Sequence, residues 1–210
     1  MFGMKAHIAA LEKGLGIDLE LVSYSDERGY HPKHPDVIRI NPKQQVPVLI
    51  HGDLEIFDST QIFEYLEDLK PEPALWPPSA AHRARARNLE HRSDEIYFPH
   101  IIRLMGLQDR LHESAAGEAI AAAADYYTQM ERQLSDRSFL AGAFSYADIA
   151  FYIAQVFGER MGATMTSLTP NLLAWRNGMA ERVSVITATR PMVEFLDTNG
   201  RFVPDFVRSG

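Results

Sequence analysis

The sequence predicts an α/β domain followed by an all-helical domain, and three observations carry that reading. Strand-like alternation and a tight turn are confined to residues 1–70. Residues 71–79 hold prolines at 71, 73, 77 and 78, which remove backbone donors and fix an extended linker. Over residues 80–210 alanine, leucine, arginine and glutamate recur at helical spacing, with no strand-like alternation before the tail.

The spacing of Met4, Ile8 and Leu11 predicts a first helix that ends at Gly14. Ile17 to Tyr24 alternates and predicts a strand, which gives way to a polar loop containing Gly29, Pro32 and Pro35. Val46 to Ile50 is a short apolar run, His51-Gly52-Asp53 reads as a hairpin turn, and Leu54 to Phe57 as the return strand. Ser59 opens a helix whose Ile62, Phe63 and Leu66 share a face, with Glu64, Glu67 and Asp68 elsewhere. The second domain is expected to hold five or more helices. One start is legible in detail, because Ser145-Tyr146-Ala147-Asp148 has capping-box form, a feature that stabilises by about 1 kcal/mol. Phe144 and Ile149 stand where a hydrophobic staple would pack, so this start is expected to be buried and structural.

Composition excludes several classes of function. A formal charge of -7, spread along the chain, leaves no phosphate-binding footprint and argues against a nucleic-acid partner. The densest basic run, His82 to Arg87, puts Arg83 and Arg87 on one helix face and reads as a solvated face or a subunit contact. There is no cysteine, so no disulfide, thiolate metal site or thiol nucleophile can form. The histidines show no credible ligand spacing, and no metal is expected. The start of the chain lacks a basic region leading into an apolar run, and no apolar segment is long enough to span a bilayer. A cytoplasmic protein without a membrane partner is the expectation.

The stretch Asn41-Pro42-Lys43-Gln44-Gln45-Val46-Pro47-Val48-Leu49-Ile50, with Phe57-Asp58-Ser59-Thr60-Gln61-Ile62 after it, resembles the glutathione site of the cytosolic glutathione transferases. Met4 to Gly14 resembles that family's first helix, and Phe139-Leu140-Ala141-Gly142 through Ser145 and Asp148 its second-domain capping motif. The resemblance spans about residues 2–185. It implies a thioredoxin-like first domain, a C-terminal helical bundle, and glutathione as cofactor. The cysteinyl backbone of glutathione would pair with Val46 as an added strand, across a Val46–Pro47 bond that would be cis and would turn the backbone towards the ligand. Ser59 and the first helical amides would bind the γ-glutamyl carboxylate at the positive helix end, and Asp58 would accept from the ammonium group. Gln45 would contact the glycyl end, with Lys43 and His31 as further candidates for its carboxylate. Alone, a Val-Pro pair is usually a turn and an Asp-Ser pair before a helix usually a cap, and it is their joint occurrence at this spacing that favours a cradle.

In the family resembled, a tyrosine, serine or cysteine activates the glutathione thiol at the end of the first strand or just before the first helix. Aligning Phe2-Gly3-Met4-Lys5 with the family pattern Ser-Pro-Phe-x-x-Lys places that catalytic residue one position before Met1. It is expected there together with a central strand, whose loss would leave a gap of roughly 9 to 10 Å in the sheet. The thiolate would attack a small apolar electrophile, with Phe2, Tyr97, Ile101 and Met105 as candidate substrate walls. Tyr97 reads equally as packing or as a donor to developing charge, whereas Arg103 reads first as packing or a surface ion pair. A non-catalytic binder of glutathione or apolar ligands is the competing expectation. The resemblance also implies a homodimer, in which Arg83-Arg85-Arg87 and Glu64-Glu67-Asp68 could make reciprocal contacts.

Overall fold

The computed structural model of the chain describes residues 1–25 and 27–208. Its first helix, α1 (Phe2–Glu12), buries Ala6, Ile8, Ala9 and Ala10 and stops at Gly14, whose φ of 59° is the left-handed conformation that glycine adopts at no steric cost. A short helix, α2 (Pro35–Ile40), lies where the sequence reads as loop. His34 caps it by accepting the Asp36 amide at Nδ1, 3.2 Å away, and Pro35 supplies its first turn. Only Val37 and Ile40 are buried in its six residues, too few apolar positions to give a periodic signal.

Strands β1 (Val48–His51) and β2 (Leu54–Phe57) form an antiparallel hairpin in which Val48 faces Phe57 and His51 faces Leu54. Gly52, at φ 63°, and Asp53 make the tight turn that the sequence indicates. Helix α3 (Ser59–Leu69) begins directly after β2 and Asp58. Ala6 and Ala10 of α1 meet Ile62 and Leu66 of α3 in one core, and the hairpin lays Leu49 and Ile56 onto it. At the far end of the same helices Lys13 is fully buried. Its ammonium stands 2.6 Å from the Glu67 carboxylate and donates to the carbonyls of Lys70 and Pro73, so the charge is paired and all three donors are used.

The strand expected over residues 17–24 is not part of this sheet. Among the described residues, 16–23 make no backbone-to-backbone hydrogen bond, and Ile17, Leu19 and Leu21 are 36%, 46% and 62% exposed. Alternation marks a segment suited to a sheet, but a strand exists only beside a neighbour that takes its amides and carbonyls, and none of the described residues does so.

Helix α4 (Ala80–Arg92) begins where Ser79 Oγ accepts the His82 amide at 3.2 Å. It runs through a π turn at Ser93–Tyr97 into α5 (Phe98–Met105). Pro99 accounts for the wide turn: it has no amide to offer the preceding turn, and the Phe98 amide reaches five residues back to the Ser93 carbonyl. Helices α6 (Ser114–Gln133), α7 (Tyr146–Arg160), α8 (Pro170–Ala180), α9 (Val183–Thr198) and α10 (Asp205–Arg208) meet the expectation of five or more. Helix α7 is buried at every position from Tyr146 to Val156 and forms the centre of this part. Its start is the capping box read from the sequence, with the Asp148 carboxylate reaching back to the Ser145 amide at 3.0 Å. The described chain divides into two compact units, Phe2–Pro73 and the residues from Ala74 on, with the boundary inside the proline-rich stretch.

Candidate functional site

The stretch from Asn41 to Pro47 leaves α2 and enters β1. Asn41 closes α2 by donating its amide to the Val37 carbonyl at 3.1 Å, and its own side chain is buried. From that anchor Asn41 also fastens the loop as far as Gln45. The Asn41 carbonyl accepts the Gln44 amide at 2.7 Å, Oδ1 accepts the Lys43 amide at 2.9 Å, and Nδ2 donates to the Gln45 carbonyl at 2.6 Å. Lys33, on the other side of α2, donates to the Gln44 carbonyl at 2.8 Å. Gln44 takes φ 53°, and the Val46–Pro47 bond is cis, as expected. Val46 is half-buried, and neither its amide nor its carbonyl bonds to any of the described residues.

The hairpin register brings the second half of the cradle alongside. Because Val48 faces Phe57, Pro47 and Asp58 are neighbours at the open end of the ribbon. Asp58 has φ 76°, an uncommon conformation for a residue other than glycine, and such strain collects at functional positions. One carboxylate oxygen, Oδ1, accepts the amides of Thr60 and Gln61 at 3.0 and 3.2 Å, so two of the helix-end amides are already occupied by the cap. Asp58 is exposed, and its second oxygen takes no part in either bond. Ser59, the first residue of α3, is 2% exposed.

Of the other residues singled out in the sequence, Gln45 and Lys43 flank the cradle with exposed side chains. His31 is exposed two residues before Lys33, and no hydrogen bond or ion pair joins it to the cradle among the described residues. Phe2 is half-buried on α1, with the Lys5 ammonium 5.1 Å from its ring centre. Asn41 and Lys33 are not among the residues that sequence reasoning selects. The available signal is a side-chain amide at a helix end directly before a proline, a place where asparagine commonly bonds to nearby backbone.

Two of the candidate substrate-wall residues lie in the interior. Tyr97 and Ile101 are both 0% exposed and belong to the core of the helical unit. The Tyr127 hydroxyl donates its single proton to the Ala163 carbonyl at 2.6 Å, so Tyr97, 2.6 Å from Tyr127, is the donor in their bond. Burial pushes both phenols above their ordinary pKa. A Cβ added at Gly158 would fall 2.0 Å from the Tyr97 hydroxyl, which accounts for glycine there. Met105 is half-buried, and Arg103 makes an exposed ion pair with Glu118 at 3.2 Å. Within the proposed subunit contact, Glu67 is committed to Lys13, Arg83 donates to the Pro77 carbonyl at 3.1 Å, and Arg87 lies over the Trp76 ring at 5.7 Å.

Both units match one family of known proteins. Residues 1–69 match the model of the glutathione S-transferase N-terminal domain, and residues 95–182 that of the glutathione S-transferase C-terminal domain. The chain is 27% identical over 212 residues to glutathione S-transferase U25 of Arabidopsis thaliana, an alignment covering 98% of this chain and 90% of the relative. It is 26% identical over 195 residues to glutathione S-transferase 3 of Glycine max, covering 88% and 83%. Among solved structures, a glutathione S-transferase domain-containing protein of Marinobacter aquaeolei VT8 superimposes with a TM-score of 0.73 at 27% identity, covering 87% of this chain and 94% of that one.

Proposed function

The chain belongs to the glutathione S-transferase family, and we propose that its first unit holds glutathione along Val46 and Asp58 and presents the thiol to a small apolar electrophile. The observation that carries this reading is the backbone of Val46, half-buried with amide and carbonyl both unbonded among the described residues, beside the strained start of α3 in the hairpin register. An extended peptide needs such a pair of backbone groups to dock as an added strand. Asp58, with one oxygen unused by its cap, accepts from the γ-glutamyl ammonium group, and Ser59 meets the γ-glutamyl carboxylate at the positive end of α3. Gln45 contacts the glycyl end, with Lys43 and His31 near its carboxylate.

In the reaction, the sulfur loses its proton and forms a bond to the electrophilic carbon, while the group displaced or the double bond attacked takes the electron pair. The positive end of a helix favours the thiolate over the thiol at neutral pH. In conjugation glutathione is consumed; in an isomerisation it returns unchanged as a cofactor. Phe2, on α1, is the apolar contact proposed for the second substrate within the first unit. The working form is a cytoplasmic homodimer, in which Arg85 of one copy and Asp68 of the other contribute to the contact. A mass in solution that stays monomeric at both low and high salt would remove the dimer.

Passage over immobilised glutathione, with a subsequent assay on a generic aromatic electrophile, tests the reading. Retention with turnover is the expected result. Retention without turnover would leave a glutathione-binding protein, and loss of both would overturn the cradle.

A further inference from the structure

We propose that Asn41 is the positioning residue of this site, aiming the Val46 amide at the ligand by gripping the opposite end of the same peptide unit. The inference rests on the reading of Val46 as the backbone that pairs with glutathione. The Gln45 carbonyl and the Val46 amide belong to one planar trans peptide, so they point in opposite directions. Asn41 Nδ2 holds the Gln45 carbonyl at 2.6 Å, and Asn41 itself is only 4% exposed, so that carbonyl is drawn towards the protein. The Val46 amide is thereby turned the other way, where it meets no partner among the described residues.

The rest of the loop removes other ways for that peptide to rotate. The Lys43 amide is held by Asn41 Oδ1, the Gln44 amide by the Asn41 carbonyl, and the Gln44 carbonyl by Lys33 Nζ. Lys33 and Asn41 bracket α2, whose Val37 and Ile40 are buried, so both grips start from one packed element. Lys43, Gln44 and Gln45 thus each have at least one backbone group already bonded, and Val46 is the next residue that offers both an amide and a carbonyl. A loop set in this way spares the ligand the entropy of ordering it.

The donor is the essential part, and Asn41→Asp isolates it. An aspartate keeps an acceptor for the Lys43 amide but, when ionised, faces the Gln45 carbonyl with a second negative oxygen. When protonated it can donate again. Burial beside the Gln45 carbonyl favours the neutral form of the introduced carboxyl, so glutathione affinity of the Asn41→Asp protein, measured by calorimetry as a ratio to wild type, is expected to be about tenfold weaker at pH 7.5 and to recover most of that loss near pH 5. In Asn41→Ala the loss is expected at both pH values. In turnover, KM for glutathione rises while kcat and the KM of the electrophile stay near wild type.

Equal affinity of Asn41→Asp and wild type at pH 7.5, or a ratio that ignores pH, would overturn the role of Asn41 while leaving the glutathione reading in place. Wild-type protein that fails to bind glutathione would remove both. Hydrogen exchange on wild-type protein tests the same point without a variant. The Lys43 and Gln44 amides should be protected before glutathione is added, and the Val46 amide only afterwards. Protection of all three only after addition would mean that the ligand, and not Asn41, orders the loop.

Discussion

Two aspartates stand at the starts of helices, Asp148 at α7 and Asp58 at α3, and the chain treats them in opposite ways. Asp148 is fully buried. Its Oδ1 accepts the Leu140 amide and the Trp175 indole at 2.9 Å each, and its Oδ2 accepts the Ser145 amide and hydroxyl at 3.0 Å. Asp58 is exposed, sits at a strained φ, and uses one oxygen on two amides. A carboxylate with every acceptor position spent ties elements together and has nothing left for a ligand. One that caps its helix with half of its capacity has the other half left to offer, at the edge of a backbone pair that is itself unbonded among the described residues.

Breaking the saturated partner should have the largest effect. Asp148→Ala leaves four donors without an acceptor, and urea denaturation should show a loss of about 3 kcal/mol or more. The same carboxyl carries a pH signature. Burial pushes its pKa up to about 6, against the pull of its four donors. The folded chain therefore binds this proton more tightly than the unfolded chain does. The contribution of Asp148 to stability should fall as pH rises from about 4 to about 6 and stay level above that. Asp148→Asn should flatten that slope in denaturation midpoints measured across the range. An unchanged slope would mean that the donors outweigh burial.

Asp58→Asn sharpens the comparison from the other side. Asparagine caps a helix as well as aspartate does and tolerates positive φ, so stability should stay within about 0.5 kcal/mol. The charge proposed to face the glutathione ammonium is lost, and affinity should fall by about tenfold. A large stability loss with unchanged affinity would reverse the roles assigned to the two residues. Tyr97→Phe should have the smallest effect. It removes one neutral hydrogen bond, at about 1 kcal/mol in denaturation, with no change in glutathione affinity or in KM for an electrophile. A changed KM would place Tyr97 at the substrate site.

Much of the fold is legible in the sequence because local chemistry and tertiary outcome agree. Gly52 and Asp53 specify the turn whichever unit surrounds them, Ser145 and Asp148 sit at the spacing a capping box requires, and Ile62, Phe63 and Leu66 repeat with the period of a helix. The illegible parts depend on neighbours. The alternation from Ile17 to Tyr24 describes a segment fit for a sheet and cannot report whether another strand lies beside it. Helix α2 is held by one capping histidine and two apolar residues, so its signal is submerged in a polar stretch. Tyr97 and Ile101 occupy a pattern that suits a cleft wall as well as a core, and only packing separates the two. At the cradle, Val46, Pro47, Asp58 and Ser59 are visible as a motif, whereas the grip of Asn41 on the Gln45 carbonyl emerges only in three dimensions.

The buried ammonium of Lys13 has a practical consequence. All five lysines of the chain, at 5, 13, 33, 43 and 70, fall in the first compact unit, and the helical unit carries arginine only. A label for lysine side chains therefore reads one unit and finds no target in the other. Within that unit Lys5 and Lys13 are shielded in the folded state, while Lys43 stands in solvent. Mass tags appearing at Lys13 would signal that α1 has parted from the end of α3, which makes this one side chain an internal tamper seal for the cradle-bearing half of the molecule.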